Sequence, residues 1–143
     1  MATELRTRYE LDFANDLGRL LLQYGEVSLA YVTAEFAPFS DQFKPDIIFV
    51  PKVGANVNAT YFIELRLGRA RPLPPASAKA LREHRSFAEE ASEGSPFYYG
   101  FATDERISSD ISVLLADEGV KVFSEITTAE SLAYDIAVWA GVL

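Results

Sequence analysis

The chain has 143 residues, a length that buries one sizeable core but not two. Apolar residues make up 49% of it and aromatic residues 13%, too rich a mixture for a disordered segment. There is no cysteine and a single histidine, which excludes disulfides, thiolate metal sites, iron–sulfur clusters and a cysteine nucleophile. A Ser-His-Asp triad would need His84, and no G-x-S-x-G elbow accompanies it. Chemistry is left to carboxylates, Lys, Arg, Tyr and hydroxyls.

No apolar run approaches the roughly 18 residues of a membrane-spanning helix. The first residues, MATELRTRYELDF, carry charges where a signal peptide needs its apolar stretch. The expectation is a single cytoplasmic domain over residues 1–143 with no membrane partner. A net charge of −8 argues against a general nucleic-acid binder, but the charge is unevenly spread. Between Arg66 and Arg85 stand six basic residues (Arg66, Arg69, Arg71, Lys79, Arg82, Arg85) against one acid, Glu83, a local net of +5.

In chain order, Leu5, Tyr9, Phe13, Leu17, Leu20, Leu21 and Tyr24 recur at spacings of three and four, which predicts an amphipathic helix over 4–24 ending at Gly25. Residues 29–36 read as a first strand and 37–44 as a loop. Residues 46–50 and 61–67 read as two strands joined through Gly54-Ala55-Asn56, a hairpin. After Pro72, Pro74 and Pro75 the pattern predicts a helix over 77–92, closed by Gly94, and then a strand over 97–103. Ser108 caps a third helix whose Gly119 holds the usual C-terminal position. Residues 120–123 make a short buried strand, and Thr127 with Glu130 has the spacing of a capping box opening a last helix over 128–141. The order α-β-β-β-α-β-α-β-α implies an α/β fold, a mixed sheet with helices on both faces.

Positions 46 and 64 are equidistant from residue 55, so a hairpin turning there sets Asp46 opposite Glu64. Alternation then groups Asp46, Ile48 and Val50 with Phe62, Glu64 and Arg66 on one face. Ile47 and Phe49 share the other with Tyr61, Ile63, Leu65 and Leu67. Two carboxylates facing each other repel. A proton, a cation or a bound divalent metal must compensate, and Arg66 could do so alone as a local ion-pair cluster. Alternatively a hard ion such as Mg²⁺ would suit one or two carboxylates plus carbonyls and waters.

PDIIF at 45–49 followed by FIELR at 62–66 resembles the paired motifs of the PD-(D/E)xK nuclease superfamily, a Pro-Asp opening one strand and Glu-x-Lys in the next. The resemblance covers roughly residues 4–123 and implies a restriction-endonuclease-like α-β-β-β-α-β core, here with C-terminal helices added. It implies Mg²⁺ or Mn²⁺ held by Asp46, Glu64 and the backbone carbonyl of Leu65. A helix-1 acid is an extra ligand in some such families, and among Glu10, Asp12 and Asp16 the first choice is Glu10. The motif lysine would orient the attacking water, but this chain carries Arg66 there. Arginine supplies charge and donors but does not exchange a proton near neutral pH. Some members supply the lysine from the following helix, where Lys79 is available.

The resemblance therefore implies one of two functions. One is a metal-dependent hydrolysis of DNA using Asp46, Glu64 and either Arg66 or Lys79. The other is a catalytically silent relative that binds protein or nucleic acid or pairs as a homodimer. Arg69, Arg71, Arg82 and Arg85 are the candidates for holding a phosphate backbone, although Arg82 and Arg85 could equally pair with acids nearby. His84 reads as a packing or surface residue. Phe97, Tyr98 and Tyr99 read as core more than as base-stacking groups. The apolar stripe Leu132, Ile136, Trp139 and Ala140 either closes the core or forms a dimer contact.

Overall fold

The computed structural model describes residues 8–24, 27–32, 45–54, 56–68 and 75–142. Nine elements follow in chain order: α1 (Arg8–Gln23), β1 (Val27–Val32), β2 (Ile47–Pro51), β3 (Thr60–Arg66), α2 (Pro75–Ala91), β4 (Phe97–Thr103), α3 (Ser109–Asp117), β5 (Val120–Phe123) and α4 (Ala129–Trp139). This is the expected α-β-β-β-α-β-α-β-α order. β4 and β5 have the bounds the sequence predicted. β1 begins two residues earlier than expected, and the expected loop at 37–44 lies outside the described residues.

The five strands form one mixed sheet in the order β1-β2-β3-β4-β5. β1, β2 and β3 pair antiparallel, while β3, β4 and β5 pair parallel. β3 is the central strand because both its faces are apolar: Tyr61, Ile63 and Leu65 are buried on one and Phe62 on the other. The two parallel crossovers step along the sheet in the same direction. Crossovers of one hand must then leave their helices on one face. α2 and α3 do share a core, packing Ala78, Leu81, Ala88 and Leu115 against Ile48, Phe62, Tyr99 and Phe101. The opposite face is covered by α1 and α4, whose Phe13, Leu17, Leu21, Leu132 and Ile136 meet Ile47, Phe49, Tyr61 and Ile63. Each such side chain, buried whole, contributes about 1.5–3 kcal/mol of transfer free energy. The α4 stripe is therefore part of the core.

Local details separate the two ends of the sheet. The turn after β2 closes with Asn58 N–H donating to the Pro51 carbonyl at 3.0 Å. Gly54 in it has φ +93, and a Cβ there would stand 2.2 Å from the Gly141 carbonyl oxygen. Only glycine suits both the conformation and the space, so the turn is seated against the end of α4. Ser108 caps α3 as predicted. In α4, however, the cap is Thr128, whose hydroxyl accepts from Ser131 N–H at 3.1 Å. This corrects the expected capping box at Thr127 and Glu130: the cap is Thr128, with the extended backbone a cap requires.

Candidate active site at the end of the central strand

β2 and β3 pair Ile47 with Ile63, Ile48 with Phe62 and Phe49 with Tyr61. Asp46 immediately precedes β2, and Glu64 follows Ile63 in β3. Asp46 N–H donates to the Ile63 carbonyl at 2.8 Å, so β2 enters the sheet at this point. Strand alternation assigns Glu64 to the α2/α3 face, with Phe62. The charges of both acids act on the same third group, the Tyr99 hydroxyl.

β3 runs on past the first residue of β2, and among the described residues its N–H groups on that side meet carboxylates. Asp46 Oδ2 accepts from Leu65 N–H at 2.8 Å, and Glu10 Oε2, reaching over from α1, accepts from Leu67 N–H at 2.7 Å. Glu10 is fully buried and Asp46 nearly so, at 3% exposure. Of the three helix-1 acids Glu10 is the one turned inward. Asp12 and Asp16 are exposed, and Asp16 pairs with Arg19 at 2.8 Å. The segment after β4 joins the same end of the sheet. Gly68 N–H donates to Asp104 Oδ2 at 3.0 Å, and Thr103 is buried with its hydroxyl accepting from Glu105 N–H at 3.1 Å.

Glu64 is 15% exposed and makes both of its hydrogen bonds through Oε1. Tyr99 donates its hydroxyl to that oxygen, and His84 Nδ1 lies 2.8 Å from it. Burial, the Glu64 charge, the hydrogen bond and the Asp46 charge together push the Tyr99 hydroxyl well above the usual tyrosine range. For His84, burial acts against the charged imidazole. The hydrogen bond and charge of Glu64, with the charge of Glu83, outweigh it, and the balance lies above the ordinary histidine value.

Among the described residues, Arg82 and Arg85 turn to partners away from this pair. Arg66 Nε stands 3.9 Å from Glu105 Oε2, both side chains being largely buried. Lys79 is exposed on α2. Arg82 pairs with Glu118 at 2.9 Å, beyond the end of α3. Arg85 lies 5.0 Å over the Phe97 ring and beside Gly119. Phe97 pairs with Thr60 and Phe101 with Glu64. Arg85 thus belongs about four residues, ~13 Å along the strands, from the acids. Arg69 and Arg71 lie outside the described residues.

His84 and Tyr99 are the site residues that sequence reasoning placed elsewhere. A signal existed for His84: it falls three residues after Leu81 and four before Ala88, both buried, so it lies on the inward stripe of α2. Tyr99 had no such signal. Its approach to Glu64 depends on the parallel register of β3 and β4, which no local pattern announces.

Among the described residues no three His, Asp or Glu side chains gather as a metal-holding group. The donors proposed at this end of the sheet are the carboxylates of Asp46 and Glu64 and backbone carbonyls. All are hard oxygens, a set that suits an ion keeping several waters, as Mg²⁺ does, and not a zinc or calcium cage.

The architecture is a restriction-endonuclease-like α/β fold. No family model matches the chain, and no curated protein matches it in sequence. A similar solved structure is the crystal structure of a repair endonuclease from Pyrococcus abyssi. It aligns with a TM-score of 0.52 and 12% identity over 87% of this chain. The aligned part is 49% of the endonuclease, so this chain spans about half its length. At that identity the likeness is one of fold. No helix among the described residues is long and apolar enough to cross a membrane.

Proposed function

We propose that the chain is a metal-dependent nuclease of the PD-(D/E)xK type that hydrolyses DNA phosphodiester bonds at Asp46 and Glu64. The observation that carries this reading is that Asp46, whose Oδ2 accepts from Leu65 N–H at 2.8 Å, stands at the end of the central strand beside the residue that follows Glu64. The PDIIF and FIELR motifs fall on those same residues, and the fold is shared with a protein described as a repair endonuclease.

Asp46 and Glu64 would hold the ion, Mg²⁺ or Mn²⁺, with the Leu65 carbonyl beside them. A bound divalent ion supplies an acidified water and neutralises charge developing on a phosphate. Glu10 and the Asp46 oxygen on Leu65 keep the end of β3 extended, so that the carboxylates hold their separation. Arg66 contributes fixed positive charge and cannot take a proton from water. Lys79, on the first turns of α2, is exposed to whatever enters.

The test is cleavage of DNA with Mg²⁺ or Mn²⁺ by the parent chain and five variants. Cleavage is expected in the parent and lost in Asp46→Ala and Glu64→Ala. Only one of Arg66→Ala and Lys79→Ala should share that loss, and it names the residue that steadies the transition state. Arg66→Lys restores the motif residue. Cleavage by Arg66→Lys alone, with metal bound by both, would mark the parent as a silent relative whose role is binding. If neither cleaves DNA and neither binds metal, the nuclease reading fails.

A further inference from the structure

Glu64 is held by two side chains, and its constraint is one-sided. Tyr99 comes from β4, the parallel neighbour of β3, and is 1% exposed. His84 comes from α2, which covers that face. Both reach Oε1 of the same carboxylate. A glutamate has three torsions to immobilise, which costs side-chain entropy, and Asp46, bonded to the next residue's N–H, adds a like charge nearby. Two donors on one oxygen oppose both effects: they hold the rotamer and stabilise the carboxylate's charge.

We propose that Tyr99 and His84 are positioning residues that clamp Oε1 of Glu64, so that Oε2 is the oxygen Glu64 presents to a divalent cation. The inference rests on the nuclease reading given above. It assigns Glu64 single-oxygen coordination and extends the site to α2 and β4. Partners of this kind orient a carboxylate ligand, and losing one typically weakens metal binding by about 10–100-fold. A buried tyrosine hydroxyl needs a partner in any case. The competing account is therefore a hydrogen-bond cluster that merely stabilises the fold.

Mn²⁺ binding to the purified chain, followed by electron paramagnetic resonance of the free ion, separates the two. Each protein's thermal unfolding is recorded beside it. Tyr99→Phe and His84→Leu should bind Mn²⁺ about 10–100-fold more weakly than the parent while remaining folded. His84→Asn, whose side-chain amide stands near the Nδ1 position, should retain most of the affinity. Glu64→Ala is the control for the site itself. Unfolding shifted with Mn²⁺ affinity unchanged would overturn the clamp and leave the metal reading standing. A parent chain that binds Mn²⁺ no better than Glu64→Ala would overturn the metal reading and the clamp with it. Should Tyr99→Phe fail to fold, the contrast between His84→Leu and His84→Asn decides: equal affinities overturn the clamp.

Discussion

Glu10 and Leu67 are 57 residues apart in sequence, yet the buried Glu10 carboxylate accepts the Leu67 N–H at 2.7 Å. The bond ties α1 to the end of β3, where pairing with β2 has run out. A backbone N–H buried without a partner costs about 1–3 kcal/mol. Glu10→Ala should lower stability by about that amount, read as the urea midpoint at unchanged m-value. Glu10→Gln keeps a carbonyl acceptor and should lose less. Equal stability of Glu10→Ala and the parent would show that the bond does not hold the strand end.

The start of α4 offers a sharper discrimination, since adjacent threonines compete for one role. Thr128 has the extended backbone and accepts from Ser131 N–H. Thr128→Ala should cost about 1 kcal/mol, the usual effect of removing a cap. Thr127→Ala should be close to neutral. The reverse ranking in chemical denaturation would restore the capping box at Thr127 and Glu130.

Tyr61 contributes to the alkaline limit of stability, as the raised hydroxyl of Tyr99 also does. Its ring is fully buried, stacked on Phe49 at 4.9 Å and on Tyr98 at 4.7 Å. Burial raises its hydroxyl from 10.0 to about 12, with the Asn56 hydrogen bond opposing and the Tyr98 charge adding to the rise. The unfolded chain therefore releases this proton first. The contribution is whole below pH 10.0 and is lost as pH rises toward about 12. Denaturant unfolding on either side of pH 10.0 should show a steeper loss in the parent than in Tyr61→Phe. Parallel curves for the two proteins would remove Tyr61 as a cause.

Much of the scaffold was legible because its causes are local. Equal spacing about residue 55, in the turn between the two apolar runs, predicted the pairing of Ile47 with Ile63, Ile48 with Phe62 and Phe49 with Tyr61. The apolar runs at 97–103 and 120–123 marked two strands to the residue. Ser108 and the left-handed Gly119 (φ +83) marked both ends of α3. What remained was decided by packing between segments far apart in sequence. The basic run from Arg66 to Arg85 looked like one surface, but α2 crosses the sheet with Leu81, His84 and Ala88 inward. That rotation sends Arg82 to Glu118 and Arg85 to Phe97, and brings His84 to Glu64. Tyr99 meets Glu64 only because β3 and β4 run parallel in one particular register. A helix's rotation and a parallel pairing depend on which long-range contacts bury the most surface, and the periodicity of a single segment does not contain them.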